Sequence, residues 1–435
     1  MTQNAVGTPP PRSSVPGTAP HGSGREQPVA PRRGAQERPV APHGGTREQP
    51  GPGRLIGVDL ARGLAVFGMY AAHVGPDPAT TGGATGFLME LTHGRASALF
   101  AFLAGFSVVL MTGRRAPKTG RAGRQAVVKV VIRAVVLLAL GTALTMSETP
   151  VEVILAFYGL YFLLVLPLYR LSARTLAEIA VVSALVLPQV LYVVAEAVYG
   201  GALGGGSTGP GAWPRTADGL VSLLFTGSYP ALSWLPFVVA GMAVARLDLA
   251  SAAVRVRLAV TGAGLAVLGY GGSWLALHHV PGVARALGAA GWQANGAGTA
   301  WWSDVAGWPE QSTPAWLFVA APHSETTLSV VANTGVAIVV LVACLAAVDV
   351  LPRFRRLARP VIAVGSMSLT AYVLHIVAIR LLGMEELPGS SSPGYVLLGF
   401  VAGVTVFAAL WSRFFRRGPL EALLQRATKV AERVR

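Results

Sequence analysis

The stretch VDLARGLAVFGMYAAHV, residues 58–74, is apolar enough to cross a bilayer but contains three ionisable side chains. At 100° per residue, Asp59, Arg62 and His73 lie within about 40° of one helical face. Asp59 and Arg62 are three residues apart and are predicted to pair, whereas His73 lies about 16 Å further along the axis. Ionisable groups inside hydrocarbon are costly and usually functional, so the stretch predicts a membrane helix that carries part of a site.

The composition extends this interpretation to the whole chain. Its 435 residues are 52% hydrophobic and only 13% charged, with a mean hydropathy of +0.54, which excludes an ordinary soluble domain. The net charge of +15 comes from basic residues at the ends of apolar runs and in the tails, so it predicts contacts with membrane lipids and no nucleic-acid partner. The single cysteine, Cys344, excludes disulfides and Cys-based metal sites within the chain, and no metal site is predicted.

Apolar runs close to the roughly 20 residues that a bilayer demands recur along the chain. They predict an all-α fold, a polytopic membrane helix bundle of about ten transmembrane helices. The predicted spans are 55–75, 96–112, 125–146, 151–169, 175–199, 229–246, 255–277, 326–348, 360–383 and 395–415.

The charge of the connections orients these spans, because short cytoplasmic loops collect Lys and Arg. With a cytoplasmic N-terminus, every cytoplasmic connection is Arg-rich: 113–124, 170–174, 246–257, 349–360 and the tail from 413. The outward connections are 76–95, 147–152, 200–228, 278–325 and 384–394, which hold few basic residues. We therefore predict a multi-pass protein of the plasma membrane with both termini in the cytoplasm.

The chain is predicted to have three parts. Residues 1–53 are crowded with Pro, Gly and Arg and cannot bury enough apolar surface to offset their ordering entropy, so they are predicted to be a disordered cytoplasmic tail. Residues 54–415 form the transmembrane domain, and residues 416–435 are a basic cytoplasmic segment. The first 30 residues contain no apolar run, which argues against a cleaved signal peptide.

Histidines gather on the outward side of this topology. Of the eight in the chain, six map to outward helix ends or loops: His73, His93, His278, His279, His323 and His375. Imidazole titrates near neutral pH and serves as a general base without extreme tuning. His375 follows Ser368 and Tyr372 at helical spacing, which predicts a polar stripe that faces the bundle interior. Asn333 is a lone amide in another apolar segment, where an interhelical hydrogen bond is the simplest expectation.

The first-helix spacing Asp59-x-x-Arg62-Gly63…His73 resembles the signature of the transmembrane acyl-transferase superfamily, which includes acyltransferase family 3. A closer resemblance is to the YeiB-like family of bacterial membrane proteins, grouped with heparan-alpha-glucosaminide N-acetyltransferase. Five stretches carry it: residues 55–145, 227–249, 322–340, 365–380 and 416–428, the last containing the RGPLE motif.

The resemblance implies transfer of an acyl group from cytoplasmic acyl-CoA, as co-substrate with no bound cofactor, to an outward glycan, lipid or small molecule of the envelope. It implies that Arg62 and a histidine act together, with Asp59 beside the Arg. In the heparan enzyme an amide-bearing residue stands near the His73 position, and the catalytic histidine lies in the loop before the second helix. Either His73 or His93 is therefore the base, and His73 is favoured.

On this hypothesis the other polar side chains have supporting parts. His375, Tyr372 and Ser368 would orient the base or donate to a developing oxyanion, with His323 and Asn333 nearby. The phosphates of acyl-CoA would be held by cations at the cytoplasmic side: Arg62, Arg114, Arg115 and Lys118. Direct transfer and an acyl-histidine intermediate both stay open.

Two other functions compete with acyl transfer. A transporter or flippase for an envelope component suits the intramembrane charges equally well, but it predicts matching halves or broken helices, and the sequence shows neither convincingly. A scaffold without chemistry predicts that Arg62 and His73 tolerate apolar replacement. The oligomeric state, including a homodimer, is left open by the sequence.

Overall fold

The protein is described by a computed structural model over residues 55–199, 222–291, 296–304, 313–384 and 394–434. Every regular element in these ranges is helical, which confirms the all-α membrane fold. The predicted disordered tail, residues 1–53, lies outside the described residues.

The main helices follow the apolar segments of the sequence. They are α1 Ile56–Val74, α2 Gly83–Thr92, α3 Arg95–Thr112, α4 Gly120–Thr145, α5 Leu155–Val165, α6 Ala173–Tyr199, α7 Ala231–Ala245, α8 Ala252–Ala266, α9 Gly272–His279, α10 Thr327–Val350, α11 Arg359–Ser366, α12 Ser368–Leu381, α13 Gly394–Phe414 and α14 Pro419–Thr428. Shorter α-helices occupy Pro78–Thr81, Val283–Ala289, Gly296–Thr299 and Pro352–Leu357, with 3-10 helices at Leu166–Arg170, Pro314–Phe318 and Lys429–Arg433 and π-helices at Ser222–Thr226 and Val267–Gly271.

The ten predicted spans are largely helical, although the span 360–383 is divided between α11 and α12, and the helices differ in length. Within the described ranges, six are long and apolar enough to cross a membrane: Gly83–Thr112, Gly120–Thr145, Ala173–Ala197, Ala252–His279, Thr327–Val350 and Gly394–Phe414. The pair α11 and α12 makes a seventh span if it is counted as one, although it bends by 85° at Met367. The chain is therefore a multi-pass membrane protein, and the count of ten crossings stays a prediction.

Helix α1, which carries Asp59, Arg62 and His73, packs against α3, α10 and α11 in the bundle. Close approach is possible because small residues stand at the crossings, as is common between membrane helices. At Gly365, a Cβ would lie 1.7 Å from the carbonyl oxygen of Asp59. Val66 and Tyr70 on the same helix are 0% and 1% exposed. Most of α1 is buried by these neighbours, although Leu64 is 43% exposed, and Asp59 on the same helix is only 5% exposed.

The basic connections meet at one end of the bundle. Arg115 pairs with Asp248 at 2.5 Å, and Arg255 pairs with Asp349 at 2.5 Å, which joins three loops predicted to be cytoplasmic. The C-terminal segment lies at the same end, where Lys129 pairs with its Glu432 at 3.4 Å. Which end of the bundle faces the cytoplasm stays a prediction. The Arg-rich loops do lie together at one end.

Candidate functional site

A cavity of about 710 Å³ opens at the other end of the bundle, beside the C-terminus of α1. It combines several of the predicted histidines with carboxylates from distant parts of the chain. Its polar lining consists of His73, Asp77, His93, Ser97, Glu152, Ser228, Tyr229, Asp304, His323 and Glu325. Among the described lining residues there is no Lys or Arg, so the cavity is histidine-rich and acidic.

His73 reaches this cavity from α1 and is paired with a second histidine. Its Nδ1 lies 2.9 Å from Nε2 of His375, and the two rings stack at 5.1 Å between centroids. His375 belongs to α12 and is only 1% exposed. The sequence predicted both as outward histidines, and the structure brings them into direct contact.

Helix α12 is held by two hydrogen bonds about one turn before His375. The Tyr70 hydroxyl donates to the carbonyl of Ala371 at 2.7 Å, and the backbone N–H of Ile154 donates to the Tyr372 hydroxyl at 3.1 Å. Tyr372 and His375 are each 1% exposed and face the bundle interior, as their spacing predicted, whereas Ser368 is partly buried at the start of the helix. None of the three lines the cavity. These contacts hold the His73–His375 pair in a set position.

His93 approaches the same cavity from the turn between α2 and α3, and it has a carboxylate partner. Its Nδ1 lies 3.2 Å and 3.3 Å from the two carboxylate oxygens of Asp304. Burial by itself would raise the pKa of Asp304, but the hydrogen bond and the charge of His93 lower it below its ordinary value. An ionised carboxylate can only accept, so Nδ1 of His93 carries a proton, and in the neutral imidazole Nε2 has the lone pair that can accept another.

A polar network ties the segment around Asp304 to the bundle. Arg95 donates from one terminal nitrogen to the carbonyl of Trp302 at 2.6 Å, and from Nε to the Tyr270 hydroxyl at 2.9 Å. Tyr270 donates in turn to Oδ1 of Asn333 at 2.9 Å. Asn333 therefore joins helices, as expected, and does not line the large cavity. Arg95 was not singled out by the sequence, although it holds the residues that orient His93.

The segment that holds His323 and Glu325 forms another wall of the cavity, and its backbone conformation is unusual. His323 and Glu325 adopt φ values of 56° and 59°, in the left-handed region that non-glycine residues seldom occupy. Opposite them, Gly94 has a φ of 62°, and a Cβ on it would lie 2.7 Å from Cβ of Pro322. Such strain persists only where the surroundings impose it, and it concentrates at functional sites.

Two groups in that wall have shifted proton affinities. Burial lowers the pKa of His323 to about 4, so this imidazole is neutral near pH 7. Burial also raises the pKa of Glu325 to about 7, even though Ser233 and Trp234 donate hydrogen bonds to its carboxylate. Glu325 can thus exchange a proton near neutral pH. No sequence pattern singled out Glu325 or Asp304 beyond their positions in outward connections.

Asp59 and Arg62 lie away from the cavity. Nη1 of Arg62 donates to Oδ1 of Asp59 at 3.2 Å, as their spacing predicted, and Nη2 donates to the Ser107 hydroxyl at 2.7 Å. The three ionisable residues on one face of α1 therefore have two different settings. His73 lines the cavity, whereas Asp59 and Arg62 form an ion pair within the helix packing.

The cations predicted to hold donor phosphates line neither of the two large cavities. Arg115 pairs with Asp248 at 2.5 Å, Arg114 donates to the carbonyl of Ala245 at 3.4 Å, and Lys118 donates to a backbone carbonyl at 3.0 Å. They share an end of the bundle with the other basic loops. Their part in donor binding stays a prediction.

Comparison with known families divides the chain in two. Residues 54–274, about half of the chain, match the family described as heparan-alpha-glucosaminide N-acetyltransferase, catalytic. Residues 276–431 match the family described as protein of unknown function (DUF418). No curated protein matches the chain. These matches confirm the resemblances to the YeiB-like family, which is the DUF418 family, and to heparan-alpha-glucosaminide N-acetyltransferase. The cavity takes residues from both matched regions.

Proposed function

The chain belongs to the family of the heparan-alpha-glucosaminide N-acetyltransferase catalytic domain, and from that premise we propose that it transfers an acyl group from acyl-CoA to an acceptor in the histidine cavity. The family gives a membrane acetyltransferase-like function. The finer proposal is that the protein lies in the plasma membrane, that the donor is cytoplasmic acyl-CoA, and that the acceptor is a glycan, lipid or small molecule of the envelope.

The single observation that carries the chemistry is the contact between His93 and Asp304. An imidazole that donates from Nδ1 to a carboxylate can accept a proton at Nε2, and the carboxylate stabilises the imidazolium that forms. His73 is backed by a second imidazole rather than by a carboxylate. Although the sequence favoured His73, the geometry favours His93 as the general base.

The reaction then proceeds with all atoms balanced. His93 takes the proton from an acceptor O–H or N–H, and the freed electron pair attacks the thioester carbonyl carbon. The C–S bond breaks, and the thiolate of CoA leaves with the proton that His93 accepted. His73, in the same cavity, is positioned to hydrogen-bond the reacting groups.

The cavity also limits the acceptor. A volume of about 710 Å³ lies in the range of small-molecule sites, large enough for a sugar unit or a headgroup. Four carboxyl groups line it, from Asp77, Glu152, Asp304 and Glu325. Like charges in one site repel, so we expect a neutral or amine-bearing acceptor group rather than a phosphate-rich one.

The test is mass spectrometry of envelope glycans and lipids from a deletion strain. An acyl group that disappears on deletion and returns with the wild-type gene identifies the acceptor. His93→Ala and Asp304→Ala should fail to restore it, whereas His278→Ala should restore it fully, because His278 is exposed and lies outside the cavity. If His93→Ala restores the acyl group and His73→Ala does not, His73 is the general base. If both variants restore it, the proposed site is refuted.

A transporter is the second candidate, and one observation favours it. Helices α11 and α12 form a broken pair bent by 85°, the feature that the sequence did not reveal. In transporters of this kind the exposed helix terminus faces a substrate, but here the N-terminus of α12 is occupied by the protein's own Glu421. We therefore keep acyl transfer as the proposed function. Uptake or export of a labelled acceptor without its acylation would favour the transporter.

A further inference from the structure

A second cavity, of about 720 Å³, lies at the opposite end of the bundle from the histidines. Four arginines line it: Arg355 and Arg356 in the short helix before α11, Arg359 at the start of α11, and Arg416 after α13. The last is distant in sequence from the other three. The fold therefore concentrates four guanidinium groups around one space, which we call the arginine cavity.

These guanidinium groups have no described acidic partner. Among the residues that the structure covers, nearby carboxylates are committed elsewhere: Asp349 pairs with Arg255 at 2.5 Å, and Glu421 accepts hydrogen bonds from the start of α12. Like charges held close together repel unless an anion lies between them. A bound anion would therefore be complementary to these four exposed guanidinium groups, which pair with no carboxylate among the described residues.

The lining also indicates what kind of anion is suitable. Guanidinium groups bind phosphate through paired N–H donors. Ser366 and Ser412 also line the cavity, with their hydroxyls donating to the carbonyls of Ala363 and Ala409. Ile56, Ile362 and Phe415 supply apolar wall beside them. Phosphate contacts next to apolar surface suit a ligand that carries both a phosphate and a hydrophobic or acyl part.

We propose that the arginine cavity binds a phosphate-bearing ligand, either the headgroup of an anionic phospholipid or the phosphates of acyl-CoA. The cavity lies at the end of the bundle where the basic loops gather, the side on which anionic lipid and cytoplasmic CoA are both expected. The cations that the sequence suggested for this role, Arg114, Arg115 and Lys118, already have partners within the chain.

The experiment measures binding to the purified full-length protein by native mass spectrometry. One arm adds phosphatidylglycerol, with phosphatidylcholine as the neutral comparison, and the other adds acetyl-CoA. The triple variant Arg355→Gln/Arg359→Gln/Arg416→Gln removes three cavity charges. The matched triple variant Arg353→Gln/Arg413→Gln/Arg417→Gln removes three exposed charges from the same segments, outside the cavity.

We expect the cavity variant to bind one of the two ligands at least tenfold more weakly, and the matched variant to change by less than threefold. Loss in the phosphatidylglycerol arm identifies a lipid site, and loss in the acetyl-CoA arm identifies a donor site. Equal loss in both triple variants would reduce the effect to net charge and overturn the proposal, as would unchanged binding of both ligands.

Two further measurements keep the result interpretable. The single variant Arg359→Gln should show the same ligand preference with a smaller loss if the triple variant fails to fold. Phosphatidylglycerol binding should be unchanged in a His93→Ala background, since lipid binding does not rest on acyl transfer. Failure of the catalytic proposal and failure of this one are thereby distinguished.

Discussion

Glu421, in the RGPLE motif, caps a helix that belongs to another part of the chain. Its Oε1 accepts the backbone N–H groups of Leu369 and Thr370 at 2.8 Å and 3.1 Å, and its Oε2 accepts the Thr370 hydroxyl at 2.6 Å. These donors stand at the start of α12, directly after the 85° bend. A helix N-terminus presents unpaired N–H groups and positive charge, so a carboxylate there stabilises the bend.

Glu421→Ala removes three hydrogen bonds at once. At about 1 kcal/mol for each bond in a partly exposed setting, the expected loss is about 3 kcal/mol. Glu421→Gln keeps one acceptor oxygen but loses the charge, and we expect about half of that loss. Gly418 adds to the tightness of the site, because a Cβ there would lie 2.5 Å from Cβ of Met367.

Thermal unfolding in nanodiscs should show that Glu421→Ala is less stable than Glu421→Gln, and that both are less stable than the wild type. The control is Glu432→Ala in the same C-terminal segment, whose carboxylate is 61% exposed and pairs with Lys129 at 3.4 Å. An exposed pair contributes about 0.5 kcal/mol or less. Hydrogen exchange of the Leu369 and Thr370 backbone amides should accelerate in Glu421→Ala but not in Glu432→Ala. Equal stability and equal protection in Glu421→Ala and Glu432→Ala would refute the capping role.

Two other predictions test packing and protonation. Gly105→Ala on α3 should destabilise the bundle by about 1–3 kcal/mol, because its Cβ would lie 1.8 Å from the carbonyl oxygen of Val238, whereas Gly403→Ala meets nothing within 4 Å and should be neutral or better in the same thermal assay. Glu325 has a pKa raised from 4.5 to about 7, so its contribution to stability is complete below about pH 4.5 and is lost as the pH rises through about 7. At about 1.4 kcal/mol per pKa unit, the loss is at most roughly 3 kcal/mol. Glu325→Gln should therefore flatten the pH dependence of stability between those values, and an unchanged profile would contradict the assignment.

Several features of the fold could be predicted from short stretches of the sequence. The apolar helical segments follow from hydropathy and length, and the Asp59–Arg62 contact follows from a three-residue spacing on one helix. The grouping of basic loops at one end follows from alternation of direction along the chain. Each of these depends only on residues close together in sequence, or on charge summed over a loop.

The site itself depends on contacts between residues far apart in the sequence. His73 meets His375 across 302 residues, and His93 meets Asp304 across 211. Which helices become neighbours is decided by side-chain packing, such as the approach of Gly365 to α1, and helical periodicity carries no information about it. Helical spacing and loop charge thus predict the end of the bundle at which the histidines and the basic loops lie. The carboxylate behind His93, the Glu421 cap on α12 and the arginine cavity all arise from packing between segments that are far apart in the sequence.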